Sequence, residues 1–189
     1  MSQNFEVLTK ENPPEASQAL LESSQKAFGM IPNLHGVMAA APTLLEGYQK
    51  LHQLAQETSF SKEELTVVWQ AINVEHSCHY CVPAHTGIAH SMKIDSAVIE
   101  ALRNETPLPN PKLEALREFT LDVTRSRGEV DEKAVDTFLQ AGFTRQNVLE
   151  IILILAQKVM SNYTNHLAET PVDKPFQKFA WEKRTPQHA

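Results

Sequence analysis

SKEELTVVWQAINVEHSCHYCVPAH, residues 61–85, is the stretch that decides the fold. Ser61 followed three residues later by Glu64 has the form of a capping box, in which each side chain satisfies the other's backbone N–H at a helix start. Behind it Leu65, Val68, Trp69 and Ile72 recur at i, i+3, i+4 and i+7, the spacing of a buried helical stripe. Glu75-His76-Ser77 is too polar to continue that stripe. It predicts the end of one helix and the cap of a second, running from about Cys78 to Met92.

The same signals extend in both directions. Asn12-Pro13-Pro14 predicts a capped helix over 15–28, with Ala16, Ala19, Leu20 and Ala27 near one face, and Gly29 to Asn33 breaks it. A short helix around 34–40 follows, then one from Pro42 or Thr43 to about Glu57. Beyond Met92, Asp95-Ser96 opens a helix ending near Asn104, and Thr106 to Pro111 is a proline-rich connector too short to establish a domain boundary. Asn110-Pro111 opens a helix to Arg127, stopped by Gly128; Asp131 to Gln140 forms the next, and Thr144 caps a long helix to about Ala168. That last helix carries Val148, Leu149, Ile151, Ile152, Leu153, Ile154, Leu155 and Val159, apolar on more than one side. Such a helix is expected to be buried all round, at the centre of the fold or in a subunit interface. There is no alternating strand pattern and no solenoid repeat, so the expected class is all-α, as a single domain.

Bulk composition narrows the function. The chain has 189 residues, 42 % of them hydrophobic and 21 % charged, ordinary for one globular domain. Seventeen basic against 23 acidic residues give a formal charge of −6, with no basic run, so neither nucleic acid nor an anionic membrane is an expected partner. The first 17 residues lack the charged and apolar regions of a signal peptide, and the longest apolar run, Ile151 to Ala156, is far too short to span a bilayer. The expected location is cytoplasmic.

In a reducing compartment a close cysteine pair is more often catalytic or metal-binding than structural, and Cys78 and Cys81 close too small a loop to staple a fold. Cys78 at a helix N-terminus would feel the positive end of the backbone dipole, which favours a thiolate. Cys81 lies about one turn on, and His85 a further turn along the same face. Two thiols and an imidazole in mutual reach suit redox chemistry: one thiol attacks, the second resolves the sulfenic acid as a disulfide, and a base moves protons. Glu75 is the nearest carboxylate to orient that base. His76, His79 and His90 read as solvated or supporting residues. Two other uses of the stretch remain: a redox sensor or binding module without turnover, and a zinc site built on Cys78, Cys81 and His85 with a fourth ligand from His76 or His90. Covalent haem attachment is a poor fit, because Val82 rather than His follows Cys81.

The stretch and its surroundings resemble the AhpD-like, peroxidase-related branch of the carboxymuconolactone decarboxylase family. The resemblance rests on Phe28-Gly29-Met30-Ile31-Pro32-Asn33-Leu34 followed by Ala41-Pro42-Thr43-Leu44-Leu45, on Ser61 to His85 with its Cys-x-Tyr-Cys-x3-His, and on Ala141-Gly142-Phe143-Thr144 and Asn162-Tyr163-Thr164-Asn165-His166. It divides the chain into a helical lead-in (1–26), an AhpD-like domain (27–168) and a C-terminal tail (169–189). It implies an all-helical subunit, a homo-oligomer from dimer to hexamer, and hydroperoxide reduction without cofactor or metal. By that resemblance Cys81 attacks peroxide, Cys78 resolves, His85 activates Cys81, and an external dithiol carrier restores both thiols. Two positions depart from AhpD itself: Thr66 stands where AhpD has a relay glutamate, and Tyr80 where it has a histidine. The proton relay must therefore be rebuilt here, with Glu75 and Tyr80 as candidates. True carboxymuconolactone decarboxylases generally lack the cysteine pair, so decarboxylation fits poorly.

Overall fold

Short-range signals set the helices. A computed structural model describes residues 5–183, and among these the elements are α1 (Glu15–Phe28), α2 (Asn33–Met38), α3 (Pro42–Gln56), α4 (Lys62–Glu75), α5 (Cys81–Ser91), α6 (Ser96–Asn104), α7 (Pro111–Ser126), α8 (Glu132–Gln140), α9 (Arg145–Ala168) and a 3-10 turn, Lys174–Phe179. No strand occurs among the described residues, and the class is all-α. The capping box before α4 forms: Glu64 N donates to Ser61 Oγ at 3.2 Å, and Ser61 N to Glu64 Oε2 at 2.8 Å. Thr144 and Asn147 form a second one before α9.

α4 is the central helix, packed against α5, α6, α7 and α9. Its Leu65, Val68, Trp69 and Ile72 join Leu116 and Phe119 of α7 and Ile151 and Ile154 of α9 in one apolar core. A second core gathers Leu21, Leu34, Leu45 and Tyr48 from α1 to α3 around Cys78, Tyr80 and Cys81. The cysteine pair thus sits inside the fold, between α4 and α9, and not on its surface.

Three expectations need correction. The inward face of α1 is Ser17, Leu21 and Ser24, while Ala16, Ala19 and Ala27 are exposed. The two serines can be buried because their hydroxyls are satisfied, Ser17 Oγ by Ala39 O at 2.7 Å and Ser24 Oγ by His35 Nδ1 at 2.8 Å. α5 begins at Cys81, not Cys78. Ser77 takes a left-handed φ of 55°, and the turn from Cys78 leads into the helix through Val82 N, which donates to Cys78 O at 3.1 Å. α9 is not buried all round, since Leu149 is 67 % and Ile152 51 % exposed. As expected of a single domain, residues before 27 and after 168 pack on the same body: Leu21 is fully buried, and Asp173 accepts from Asn33 N at 2.9 Å.

Candidate active site

The end of α4 and the start of α5 are locked together by buried amides. Cys78 N donates to Asn73 O at 3.0 Å. Gln70 Nε2 donates to Val82 O and to Thr86 Oγ1, each at 3.2 Å, and Asn73 Nδ2 donates to Gln70 Oε1 at 3.0 Å. From the other side Asn162 Nδ2 donates to Asn73 Oδ1 at 3.0 Å. A satisfied buried network of this kind fixes geometry, because any shift would strand a polar group in a low dielectric. It holds both sulfurs in place.

Asn165 of α9 donates its Nδ2 to Cys81 Sγ at 3.2 Å and lies 3.9 Å from Cys78 Sγ, while Cys81 N donates to Cys78 Sγ at 3.3 Å. The sulfurs are not equivalent. Cys81 lines a cavity of about 550 Å³, and Cys78 lies behind it, fully buried. Burial alone would push the Cys81 thiol up, yet the Cys78 thiol donating to it, the charge of Lys158, and the Ser161 and Asn162 side chains draw it below its ordinary value. The Cys78 thiol is pushed up by the hydrogen bond it gives to Cys81, by burial, and by the charge on Cys81. The pair is therefore polarised, with Cys81 drawn toward the thiolate and Cys78 held toward the thiol.

His85 lines the same cavity, and its Nε2 lies 2.9 Å from Nζ of Lys158, a lysine with no exposed surface. An ammonium can only donate, so Nε2 of His85 accepts and the ring is neutral. Burial, then Lys158, then His52 hold it well below the usual histidine range. A similar logic fixes His52. Trp69 Nε1 donates to Gln157 Oε1 at 2.8 Å, which leaves Gln157 Nε2 to face His52 Nδ1 at 3.0 Å. The His52 ring stacks on Trp69, and Trp69 tilts against His85.

Tyr80, the residue between the cysteines, donates to Asp173 Oδ2 and accepts from Leu34 N at 3.3 Å. Burial first, and then the Asp173 charge, push its phenol well above the ordinary range, so it is a fixed donor and not a relay base. Phe176, in the 3-10 turn beyond Asp173, lies against Gly87, where an added Cβ would come within 2.5 Å of the ring. The segment that reads as a tail in sequence thus closes one wall of the cavity. Phe28, Phe60, Leu65, Trp69 and Ile88 supply others.

Of the residues singled out in the sequence, Cys81 and His85 line one cavity with Cys78 against Cys81, and Glu75 does not reach it. Its carboxylate is paired with Arg125 of α7, at 2.9 Å to Nε and 2.8 Å to Nη2, which holds it below the usual carboxylate range, and it does not line the cavity. His76 faces Asn162 Oδ1 at 2.8 Å, His79 faces Thr170 O at 3.1 Å, and His90 stacks on Phe179. Among the described residues no group of three or more His, Cys, Asp or Glu side chains is placed to hold a metal ion.

Four residues of the site went unread in the sequence: Lys158, Ser161, Asn162 and Asn165, all on α9 and all fully buried. Their signal was present, because in a helix otherwise rich in apolar residues they recur at i, i+3, i+4 and i+7. A polar stripe at helical spacing inside an apolar helix marks the face that meets buried polar groups.

The all-helical fold is that of the AhpD-like proteins. A peroxidase-related protein of Ralstonia eutropha JMP134 with the alkylhydroperoxidase AhpD core superposes with a TM-score of 0.81 at 21 % identity, over 93 % of this chain and 95 % of that one. A peroxidase-related protein of Silicibacter sp. TM1040 gives 0.76 at 20 % identity, over 93 % and 95 %. A variant of the debrominase Bmp8 in complex with 2,3,4-tribromopyrrole gives 0.72 at 18 % identity, over 94 % and 97 %. By sequence, no protein-family model and no curated protein matches the chain. Among the described residues no helix is long and apolar enough to cross a membrane.

Proposed function

We propose that this chain is a thiol-dependent peroxidase acting on organic hydroperoxides. The observation that carries the reading is the division of labour between the sulfurs: Cys81 faces the cavity with its charge stabilised, and Cys78 waits behind it as a thiol. The Cys81 thiolate attacks the outer peroxide oxygen, the O–O bond breaks, and the alkoxide leaves to be protonated. Cys78 sulfur then displaces the sulfenic hydroxyl as water and forms the disulfide, so two electrons pass from the thiols to the peroxide. A dithiol carrier restores both thiols. Intact-mass spectrometry of the reduced protein with one equivalent of cumene hydroperoxide tests this. A loss of 2 Da mapped to Cys78–Cys81, with repeated turnover once a dithiol is supplied, is expected. Oxidation that stops after one equivalent would instead identify a sensor.

A second reading is favoured by the aromatic wall of Phe28, Phe60, Trp69 and Phe176. An aryl bromide is also a two-electron acceptor. If thiolate takes the bromine and the ring takes a proton, Cys78 expels bromide and the same disulfide forms. Bromide release from a bromopyrrole under dithiol, faster than peroxide turnover, would select this activity.

We also place a homo-oligomer contact on α9. Leu149, Ile152, Ala156, Tyr163 and Leu167 are exposed at intervals of three, four and seven residues, which is one face of the helix and the spacing of a seam that pairs helices.

A further inference from the structure

Lys158 is a group that the thiol chemistry above leaves without a task. It is a lysine with no exposed surface, and a charge buried there without a partner would cost several kcal/mol. Among the described residues no carboxylate pairs with it. The groups that face it are His52 from α3, His85 and Cys81 from α5, and Cys78 from the turn before α5, with Tyr48 of α3 lining the same cavity. The carboxylate on the cavity wall, Asp173, is already engaged by Tyr80 and Asn33. Cys81 is the remaining anion. The reach of Lys158 is also restricted. Its Nζ is held by His85 Nε2 at 2.9 Å, while Ser161, one turn on, and Asn165, two turns on, sit on the same face of α9 and meet the sulfurs. Lys158, His85 and Cys81 thus line one cavity, where the reacting oxygens must lie.

We propose that Lys158 is the counter-ion that keeps Cys81 a thiolate and the acid that protonates the leaving oxygen, and that His85 positions Lys158 rather than serving as the base. This rests on the peroxidase reading for its second half only. The step balances: Cys81 sulfur forms a bond to the outer oxygen, the O–O pair leaves on the inner oxygen, and a proton passes from Lys158 Nζ to give the alcohol. Cys78 thiol and the sulfenic acid then condense to disulfide and water with no net proton. Reduction by a dithiol returns two protons, one to Cys78 and one to Lys158. Burial pulls the lysine down while the charges on Cys81 and Cys78 draw it back up, so its acidity follows the redox state of the pair. A lysine that has lost its thiolate partner is a stronger acid, which is the state in which the proton is wanted.

The test has two arms. In the first, the pH profile of Cys81 alkylation by iodoacetamide is followed by mass spectrometry in the wild type, Lys158→Met and Lys158→Arg, with no peroxide present. Lys158→Met keeps the length and apolar stem of the side chain, and is expected to raise the thiol midpoint by at least about one pH unit, which slows alkylation about tenfold at a pH below both midpoints. Lys158→Arg is expected to restore most of the rate. A midpoint unchanged in Lys158→Met overturns the counter-ion role. In the second arm, single-turnover oxidation is compared between cumene hydroperoxide, whose alkoxide needs a proton, and peracetic acid, whose acetate does not. After correction for thiolate fraction, Lys158→Met should slow the first by about tenfold or more and leave the second within about twofold. Equal slowing overturns the acid role. If Lys158→Met does not fold, as judged by circular dichroism, Lys158→Gln carries both arms. A wild type that does not react with either peroxide yet shows the alkylation shift would refute the peroxidase reading and leave the counter-ion in place.

Discussion

Asn165 places one carboxamide across both sulfurs, its Nδ2 3.2 Å from Cys81 Sγ and 3.9 Å from Cys78 Sγ. A donor that serves a charged sulfur is worth roughly 1.5–3 kcal/mol, or about one to two pH units of thiol acidity. Asn165→Leu removes the donor at nearly constant volume and is expected to raise the Cys81 midpoint by that amount. Asn165→Asp sets a carboxylate beside the thiolate and should raise it further. Thiolate absorbance followed against pH measures both. A midpoint in Asn165→Leu equal to that of the wild type would show that this hydrogen bond does not stabilise the charge.

The two cysteines are expected to fail differently. Cys78→Ser leaves the attacking sulfur in place and removes the resolving one, so one equivalent of hydroperoxide should trap Cys81 as a sulfenic acid that dimedone labels. Cys81→Ser should give no adduct, because Cys78 lies behind the cavity wall with its thiol pushed up by the neighbouring sulfur and by burial. Dimedone labelling of Cys78 in Cys81→Ser, at a rate like that of Cys81, would reverse the assignment.

Much of the fold was legible because its signals are local. The Ser61–Glu64 box, the Leu65 to Ile72 stripe and the Thr144 cap are read within single helices, and each helix stands close to where its caps put it. The site was legible only where its parts adjoin in sequence. Cys78, Cys81 and His85 lie within eight residues of one another. Lys158 and Asn165 come from a helix more than seventy residues away and are joined to the pair by packing alone, so proximity in sequence pointed to Glu75. That residue sits on the far side of the turn, where Arg125 claims it. Cys78 was misplaced at the helix start because cap preferences do not reveal a left-handed turn at Ser77.

Acid should destabilise the fold before its carboxylates titrate. Burial, then the charge of His52, holds His35 at about 4, and burial, then the charge of Lys158, holds His52 at about 4, against 6.5 for a free imidazole. A group whose folded affinity for the proton is depressed contributes stability fully above its unfolded value and loses it as the pH falls through the folded one. The window is therefore pH 6.5 to about 4. His35 alone accounts for roughly 3 kcal/mol across it, with less where the two rings couple. Urea midpoints at pH 7 and pH 4.5 measure the loss. His35→Gln keeps a polar partner for Ser24 Oγ, which lies 2.8 Å from the ring, and should shrink that loss by the His35 share alone, roughly 2–3 kcal/mol, while His52 keeps its own. A loss as large in His35→Gln as in the wild type would locate the acid sensitivity elsewhere.

The seam on α9 makes a prediction about assembly. Leu149 at 67 %, Ile152 at 51 % and Leu167 at 74 % exposed leave large apolar side chains in water along one face of a 24-residue helix. That exposure is unfavourable by about 25 cal/mol per Å² of apolar surface, and a second copy of the same face relieves it on both sides at once. Sedimentation velocity is expected to show a species well above the 21.2 kDa of one chain. Ile152→Glu places a charge at the middle of the seam, where two copies related by a twofold axis would bring like charges together, and should shift the species to monomer. Lys133→Glu, on an exposed position of α8, changes charge by the same sign and should leave the distribution as it was. A wild type that sediments as a monomer, or an Ile152→Glu variant that assembles as before, would remove the α9 contact without touching the chemistry at Cys81, because Ile152 does not line the cavity.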